Sequence, residues 1–315
     1  MLRGSTVAIV GAGTVGATLA YTLLMRGAAQ RVVLYDVNRA KVEAEALDLA
    51  HGIQFVPPAQ VVGSDDIEVC RDADVVVVTA GAKQQPGQTR LDLAASTVSL
   101  MRTLVPGLTA VAPDAVYLMV TNPVDIVTQA ALTISGLPRE QLFGSGTVLD
   151  TSRLRHRIAQ ETGIAAKNVH AYVVGEHGDS ELVLWSSAMI GAVPLLDWST
   201  THAPRLDAEA RAAVAEEVVA AAYRIIAGKG ATNYAVALAA VEIIQAVLRS
   251  ENRVLPVSTL LTDYVGISDV CLSVPTVVGG DGAEERLVPP MTSAELAGLR
   301  ASAERIRSVV RELGF

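Results

Sequence analysis

The sequence feature that most constrains the fold is the glycine-rich segment GAGTVG, which follows a β-branched run without a break. Its glycines are Gly11, Gly13 and Gly16. The run Thr6–Val10 predicts a buried strand, and Ala17–Met25 predicts a helix that begins directly after the glycines. A second strand is predicted over Arg31–Tyr35. A strand, a tight turn, a helix and a second strand within about 30 residues indicate the βαβ unit of a parallel sheet.

The acidic residue Asp36 follows the second strand, 20 residues after Gly16. In dinucleotide-binding folds a carboxylate at this spacing meets the ribose hydroxyls, while the glycines let a pyrophosphate approach the helix N-terminus. A carboxylate would repel a 2′-phosphate, so the sequence favours NAD over NADP. The alternative interpretation is a glycine-rich turn between packed elements, with an ordinary acid at a strand end.

Two further runs, Val75–Thr79 and Val116–Val120, are apolar without alternation, which is typical of parallel strands covered on both faces. We therefore predict an α/β protein with a Rossmann-type parallel-sheet domain over residues 1–144 and an α+β substrate domain over residues 145–315. Elements predicted in the second half are a helix from Asp150, helices over Asp207–Ala227 and Ala231–Arg249, strands over Arg253–Leu261 and Val270–Val278, and a last helix capped by Thr292 and Glu295.

Composition excludes several classes of protein. The 315-residue chain has a formal net charge of −8, which argues against a nucleic-acid-binding surface. Cys70 and Cys271 have no metal-ligand spacing, so we predict reduced, buried thiols and no metal site. No window reaches the ~18 apolar residues that a membrane span requires, and the first residues lack a signal-peptide pattern. These observations predict a cytoplasmic protein without a membrane partner.

The segment VHAYVVGEHGDSE, Val169–Glu181, is a β-type run that breaks into a polar loop and presents His177 between acids. Upstream, Asp150 and Arg153 are three residues apart and share one face if they lie on a helix. Carbonyl reduction by hydride needs a proton donor near neutral pH, a carboxylate that keeps this donor charged, and a guanidinium that grips an anionic substrate. All three residue types are present. A lone histidine would more often be structural, so the prediction depends on the convergence of these motifs.

Two polar segments follow predicted strands at the sheet edge where open α/β folds bind ligands. Gly81–Leu93, GAKQQPGQTRLDL, has the composition of a lid that closes over a substrate and carries Arg90. Thr121–Asp125, TNPVD, offers Asn122 as a donor to a carbonyl oxygen. Taken alone, the first segment could be a surface loop and the second a turn.

Together with LYD, GSGTVLDTSR, GEHGDSE and KGAT, these motifs resemble the lactate/malate dehydrogenase family, and within it the bacterial L-lactate dehydrogenases. The match runs in order along essentially the whole chain. The resemblance implies that His177 donates and accepts the proton, that Asp150 stabilises its imidazolium, that Arg153 grips the substrate carboxylate and that Arg90 polarises the ketone.

The resemblance also implies the lining of two sites. The substrate positions are Gln84, Arg90, Asn122, Asp125, Arg153 and Thr232. The NAD positions are Gly11, Gly13, Val15, Gly16, Asp36, Lys41, Gly81, Ala82, Thr103, Val120, Asn122 and Ser145.

One lid position, Gln84, sets the expected substrate, because malate-specific relatives carry an arginine there that pairs with a second carboxylate. A neutral Gln would leave that charge buried without a partner, at a cost of several kcal/mol. The resemblance therefore implies reduction of pyruvate to L-lactate by NADH. Two alternatives stay open. One is a dehydrogenase for malate or longer-chain 2-hydroxyacids; the other is a catalytically silent NAD sensor, which would be expected to have lost His177, Asp150 or Arg90.

Arg155 and His170 match the positions that bind fructose 1,6-bisphosphate in allosteric members of the family. The resemblance implies that these groups meet their symmetry mates across a subunit interface in a homotetramer, where a bisphosphate would relieve the repulsion between cations. The alternative is a surface arginine and a strand histidine with local partners.

Overall fold

The computed structural model describes residues 4–82, 90–200 and 205–315, without the side chain of Arg90. Gln84 and most of the predicted lid therefore lie outside the described residues. The helices within these ranges are α1 (Thr14–Arg26), α2 (Arg39–His51), α3 (Arg90–Val111), α4 (Val124–Ser135), α5 (Val148–Thr162), α6 (Ala208–Lys229), α7 (Tyr234–Leu248) and α8 (Ser293–Glu312). The strands of the first half are β1 (Thr6–Val10), β2 (Arg31–Tyr35), β3 (Gln60–Ser64), β4 (Val75–Val78), β5 (Val116–Met119) and β6 (Leu142–Gly144). Those of the second half are β7 (Val169–His170), β8 (Val173–Val174), β9 (Leu182–Val183), β10 (Met189–Ile190), β11 (Val193–Pro194), β12 (Arg253–Leu261), β13 (Val270–Gly279) and β14 (Gly282–Arg286).

The first six strands are parallel and adjoin in the order β3-β2-β1-β4-β5-β6. This order is that of the Rossmann fold, and it reverses between β1 and β4. Loops that leave the carboxyl ends of β1, β4 and β5 therefore meet at one crevice. The predicted α/β class is confirmed, and GAGTVG follows β1 while TNPVD follows β5.

Both faces of the sheet are buried, as the apolar runs predict. On β1, Val7 and Ile9 pack into a core with α1 and α7, whereas Ala8 and Val10 pack into a second core with α3 and α4. Successive strand residues point to opposite faces, so each core receives alternate side chains. β4 reads VVVV and is fully buried, as expected for a parallel strand covered on both faces.

The sheet continues into the second half of the chain. β12 pairs antiparallel with β6 through Ser258 and Gly144, and β13 and β14 extend the sheet to nine strands. The boundary predicted at residue 144 thus falls at the end of β6, within a continuous sheet. Local sequence patterns predict β12 and β13 but carry no information about which distant strand they join.

Most predicted elements of the second half are confirmed, with small shifts at their ends. α5 begins at Val148, two residues before the prediction. α7 begins at Tyr234 and not at Ala231, because Gly230 closes α6 in a left-handed conformation with φ 83°. The Thr292–Glu295 capping box of α8 is present.

Both cysteines are buried and free, as predicted. Burial raises the pKa of the Cys70 thiol to about 12, which keeps it protonated at neutral pH. Among the described residues, no helix has the length and apolar character needed to cross a membrane.

Candidate active site

The loop between β1 and α1 forms a cradle that fits a dinucleotide. A Cβ on Gly16 would lie 1.9 Å from the Gly11 carbonyl oxygen, so no other residue fits this close approach. Gly11 has φ +104°, a conformation that side chains rarely adopt. A Cβ on Gly13, in contrast, would meet nothing within 4 Å. The loop therefore opens at Gly13, beside the N-terminus of α1, where a pyrophosphate would be accepted.

Asp36 extends from the end of β2 towards this loop. Its Oδ2 accepts a hydrogen bond from the Ala12 N–H at 2.8 Å, and its Oδ1 accepts one from the Asn38 N–H at 3.0 Å. A carboxylate has about four lone-pair directions, so it can still accept from the two hydroxyls of a ribose. The residues present therefore fit NAD at the crevice where the strand order reverses.

The other predicted cofactor positions lie around the same sheet edge or on the flanking helices. Gly81 passes so close to the loop after β5 that a Cβ would be 2.0 Å from Thr121 Oγ1. Ser145 donates its N–H to Met119 O at 2.8 Å, which fixes the end of β6 against β5. Lys41 is exposed on α2 and Thr103 is exposed on α3. The remaining positions, Val15, Ala82, Val120 and Asn122, follow β1, β4 and β5.

The first turn of α5 holds the centre of the second site. Asp150 is 1% exposed. Its Oδ2 lies 2.6 Å from Nδ1 of His177, and its Oδ1 accepts a hydrogen bond from Nη1 of Arg153 at 2.7 Å. The helical spacing of Asp150 and Arg153 is as predicted. One carboxylate thus orients both the imidazole and the guanidinium, a double role that the sequence did not indicate.

Electrostatics in this group favour the imidazolium. Burial alone would lower the pKa of His177, but the charge of Asp150 and the hydrogen bond to it raise this pKa to about 9, with smaller contributions from Asp125 and Glu181. Burial works against the charge of Asp150 as well, yet His177 and Arg153 hold the pKa of this carboxyl below its ordinary value. His177 is therefore protonated at neutral pH and can donate a proton through Nε2.

Three neighbouring elements fix the loop that carries His177. Gly175 exchanges backbone hydrogen bonds with Ser273 of β13 at 2.9 and 3.1 Å. The Glu176 N–H donates to Ser302 Oγ of α8 at 2.8 Å, and the His177 N–H donates to Asp125 Oδ2 of α4 at 2.7 Å. The backbone of the loop that carries the imidazole is therefore fixed by hydrogen bonds to β13, α8 and α4.

A cavity of about 320 Å³ opens in front of the imidazole. Its polar lining includes Asn122, Asp150, Arg153 and His177, and its apolar lining includes Val219 and Ala222 of α6. The structure therefore brings four of the predicted residues to one cavity. Gln84 and the side chain of Arg90 lie outside the described residues.

Two predicted substrate positions do not line this cavity among the described residues. Thr232 lies between α6 and α7 and is half-buried. Asp125 is 2% exposed and lies behind the His177 loop, where it contacts the backbone of His177. The sequence places Asp125 beside Asn122, but α4 begins between them and turns its carboxylate inward.

Sequence reasoning assigned no role to two residues that border the site. Glu181 lies near Asp150 and His177, and burial, followed by the charge of Asp150, raises the pKa of this carboxyl to about 8. Tyr223 of α6 donates a hydrogen bond to Asp179 Oδ1 at 2.6 Å, which ties this helix to the His177 loop. Glu181 stands inside a motif that the sequence did single out, whereas nothing local distinguishes Tyr223.

A dinucleotide cradle and a buried carboxylate–imidazole pair beside a guanidinium define the class: this is an NAD-dependent dehydrogenase. The sequence model of the lactate/malate dehydrogenase NAD-binding domain matches residues 5–144, and that of the family's α/β C-terminal domain matches residues 147–313. The chain belongs to the lactate/malate dehydrogenase family.

Similar proteins cover the whole chain. An L-lactate dehydrogenase of Bifidobacterium animalis subsp. lactis is 54% identical over 316 residues, spanning 100% of this chain and 98% of that protein. One of Thermoanaerobacter is 44% identical, over 98% of both chains. The crystal structure of a lactate dehydrogenase from a Medee basin deep-sea metagenome superposes with a TM-score of 0.94 at 36% identity, covering 100% of both chains.

Proposed function

We propose that this dehydrogenase interconverts pyruvate and L-lactate. The observation that carries the proposal is the shared carboxylate of Asp150, which holds a proton donor and an anion-binding guanidinium at one cavity next to the NAD cradle. A 2-oxo acid needs both groups at once, because its carboxylate and its ketone are adjacent. The names of the relatives support lactate as the product.

In this mechanism, bound NADH supplies the hydride that reduces the carbonyl carbon. His177 gives its proton from Nε2 to the carbonyl oxygen, since Nδ1 faces Asp150. Arg153 pairs with the substrate carboxylate through the N–H groups that Asp150 does not engage. The neutral imidazole then regains a proton from solvent, and in the reverse direction it accepts the proton of the lactate hydroxyl.

The direct test is the loss of NADH absorbance with pyruvate, oxaloacetate and 2-oxoisocaproate in parallel cuvettes. The proposal expects the highest kcat/KM with pyruvate. A preference for oxaloacetate or for the longer-chain acid would identify a different 2-hydroxyacid dehydrogenase. Tight NADH binding without turnover of any of the three would indicate a silent NAD sensor.

The assignment of Gln84 as the specificity position gives a separate prediction. In Gln84→Arg, the new guanidinium matches the second carboxylate of oxaloacetate and has no partner when pyruvate binds. The ratio of kcat/KM for oxaloacetate to that for pyruvate should rise at least about tenfold, or ~1.4 kcal/mol. Gln88→Arg, which adds the same charge within the same segment, is the matched control. A ratio that moves equally in both variants would remove Gln84 from substrate selection.

The proposal includes activation by fructose 1,6-bisphosphate at Arg155 and His170, in a homotetramer of the cytoplasm. Arg155 lines a second cavity of about 380 Å³, separate from that of Arg153, together with Lys167 and the ion-paired Arg253. Its Nε donates to Ala171 O at 3.1 Å, next to His170, which is exposed on β7. The positively charged side chains beside an exposed histidine support an anion-binding site that is separate from the active-site cavity.

Activation is tested by pyruvate saturation with and without millimolar fructose 1,6-bisphosphate. The wild type should show a lower apparent KM with the bisphosphate, and Arg155→Gln combined with His170→Gln should abolish this effect. His156→Gln, which replaces an exposed histidine of α5, is the control. Activation that survives the double replacement would refute this site, and a wild type that does not respond would be a constitutively active enzyme.

A further inference from the structure

Four buried side-chain oxygens without a hydrogen-bond partner among the described residues lie behind the His177 loop. They are Asp125 Oδ1, Thr128 Oγ1, Ser258 Oγ and Ser273 Oγ, and none of the four residues is more than 2% exposed. We refer to these four side chains as the buried polar cluster. Native proteins rarely leave buried polar atoms unpaired, so such a concentration needs a physical reason.

The fold brings the buried polar cluster together between α4 and the β12–β13 pair. Asp125 and Thr128 lie one turn apart on α4, and Ser258 and Ser273 are opposite each other in the β12–β13 register. Two glycines make room for the cluster: a Cβ on Gly144 would lie 2.5 Å from Thr128 Oγ1, and one on Gly146 would lie 2.7 Å from Ser273 Oγ.

Within the cluster, Asp125 is the residue whose side chain hydrogen-bonds to His177 itself. Its Oδ2 accepts the His177 N–H at 2.7 Å, so the carboxylate fixes the backbone from which the imidazole projects. Because Asp150 reaches the same residue at Nδ1, two carboxylates approach His177, one at its ring and one at its main chain. Burying two carboxylates beside one histidine lowers the stability of the folded protein unless both charges stabilise the imidazolium.

The charged groups that face Asp125 are few. Burial raises the pKa of Asp125 to about 6, while the Ser258 hydroxyl, the His177 N–H and the His177 charge lower it and Glu176 raises it. The Cys271 thiol faces the same carboxylate from β13 and stays protonated, since burial raises its pKa far above neutrality. Above about pH 6, Asp125 is therefore negative and contributes, with Asp150, to the raised pKa of His177.

We propose that Asp125 is a positioning residue of the dehydrogenase, which anchors the His177 backbone and holds a second negative charge behind the imidazole from within the buried polar cluster. This inference rests on the proposed function and replaces the expectation that Asp125 contacts substrate. The hydroxyls of the cluster give the carboxylate a polar environment without neutralising its charge. A cation in their place would cancel the effect on His177.

The test compares Asp125→Asn with Thr128→Val. Asn keeps an oxygen for the His177 N–H but removes the charge, whereas Val removes a hydroxyl of the same cluster that does not touch the loop. For Asp125→Asn, the alkaline limb of kcat/KM for pyruvate should move down by about 1 pH unit, because a nearby opposite charge shifts a pKa by this order. The loss should be small at pH 6 and about fivefold at pH 9. Thr128→Val should keep the wild-type limb.

The His177 imidazole is titrated by NMR in the same variants, with His177→Asn assigning the resonance. This measurement requires no substrate, so it decides the role of Asp125 even if the wild type does not reduce pyruvate, in which case only the proposed function fails. Should Asp125→Asn not fold, Asp125→Ser takes its place: it also removes the carboxylate, so it should lower the His177 pKa in the same direction.

Three results would overturn the inference. One is an unchanged His177 titration in Asp125→Asn or, where that variant does not fold, in Asp125→Ser. Another is a loss of activity by the same factor at every pH, which would show a structural role without any influence on the proton. An equal shift in Thr128→Val would also count against it, because the effect would then belong to the packing of the cluster and not to the carboxylate.

Discussion

Replacing Asp150 with Asn is expected to lower kcat/KM for pyruvate reduction by at least about 100-fold, since neutralising a buried acid that orients a catalytic histidine can cost up to about 10⁴-fold. The structure gives a specific reason. Both neighbours of Asp150 present N–H groups to it, His177 at one oxygen and Arg153 at the other. An amide offers one oxygen acceptor and one NH₂ group, which only donates, so one neighbour must face a donor.

The pH dependence separates this loss from general damage. Asp150 is the main group that raises the pKa of His177 to about 9. A group with a raised pKa keeps its proton until the pH exceeds that value, so wild-type pyruvate reduction should persist to alkaline pH and lactate oxidation should increase there. In Asp150→Asn the His177 pKa should fall, and the reduction profile should shift to lower pH. Neutral imidazole is the form that lactate oxidation needs, so the rise of lactate oxidation with pH should shift to lower pH by the same amount.

The measurement is the pH profile of kcat/KM in both directions, with Asp48→Asn as a control that neutralises an exposed acid on α2. Thermal midpoints establish that both variants are folded. A loss by one constant factor at every pH, with neither profile shifted along the pH axis, would show that Asp150 does not act through the proton on His177.

The sequence predicted those features of the molecule that are determined by residues close together in the chain. GAGTVG and Asp36 specify a strand, a turn, a helix and an acid within one continuous segment, and the structure has them in that order. The spacing of Asp150 and Arg153 requires only that one helix exists. For such features, neighbouring residues carry all the information that is needed.

Other features arise from contacts between distant segments, which no local pattern encodes. The pairing of Ser258 with Gly144 joins the two halves into one sheet, and it depends on the register between strands that are far apart in sequence. The position of Asp125 depends on how α4 packs against β12 and β13, and this packing turns the residue away from the cavity that Asn122 lines. Resemblance to a family placed both residues in one substrate site, because it compares positions along the chain and not directions in space.

Arg153→Lys is expected to reduce kcat/KM for pyruvate by about 100-fold or more, or ~3 kcal/mol, although it keeps the positive charge. The guanidinium gives Nη1 to Asp150 and retains other N–H groups in a planar fork, which suits a carboxylate. A lysine has one nitrogen on a flexible stem and cannot hold Asp150 while also making two parallel hydrogen bonds to a substrate. The side chain is only 14% exposed, so water compensates poorly for the lost bonds.

This variant should differ from Asp150→Asn in its pH profile. Because the charge near Asp150 is unchanged, the alkaline limb should stay where it is in the wild type, and the loss should appear mainly as a higher KM for pyruvate, since the lost bonds hold the substrate before the chemistry as well as during it. NADH binding, followed by fluorescence, should be unaffected because the cradle at Gly13 and Asp36 is formed by other elements. Arg157→Lys, which changes an arginine of the same helix that pairs with Glu161 and Glu217, is the matched control. A pyruvate KM within about twofold of the wild-type value would mean that the substrate carboxylate binds elsewhere, and the orientation of pyruvate in the cavity would have to be reversed.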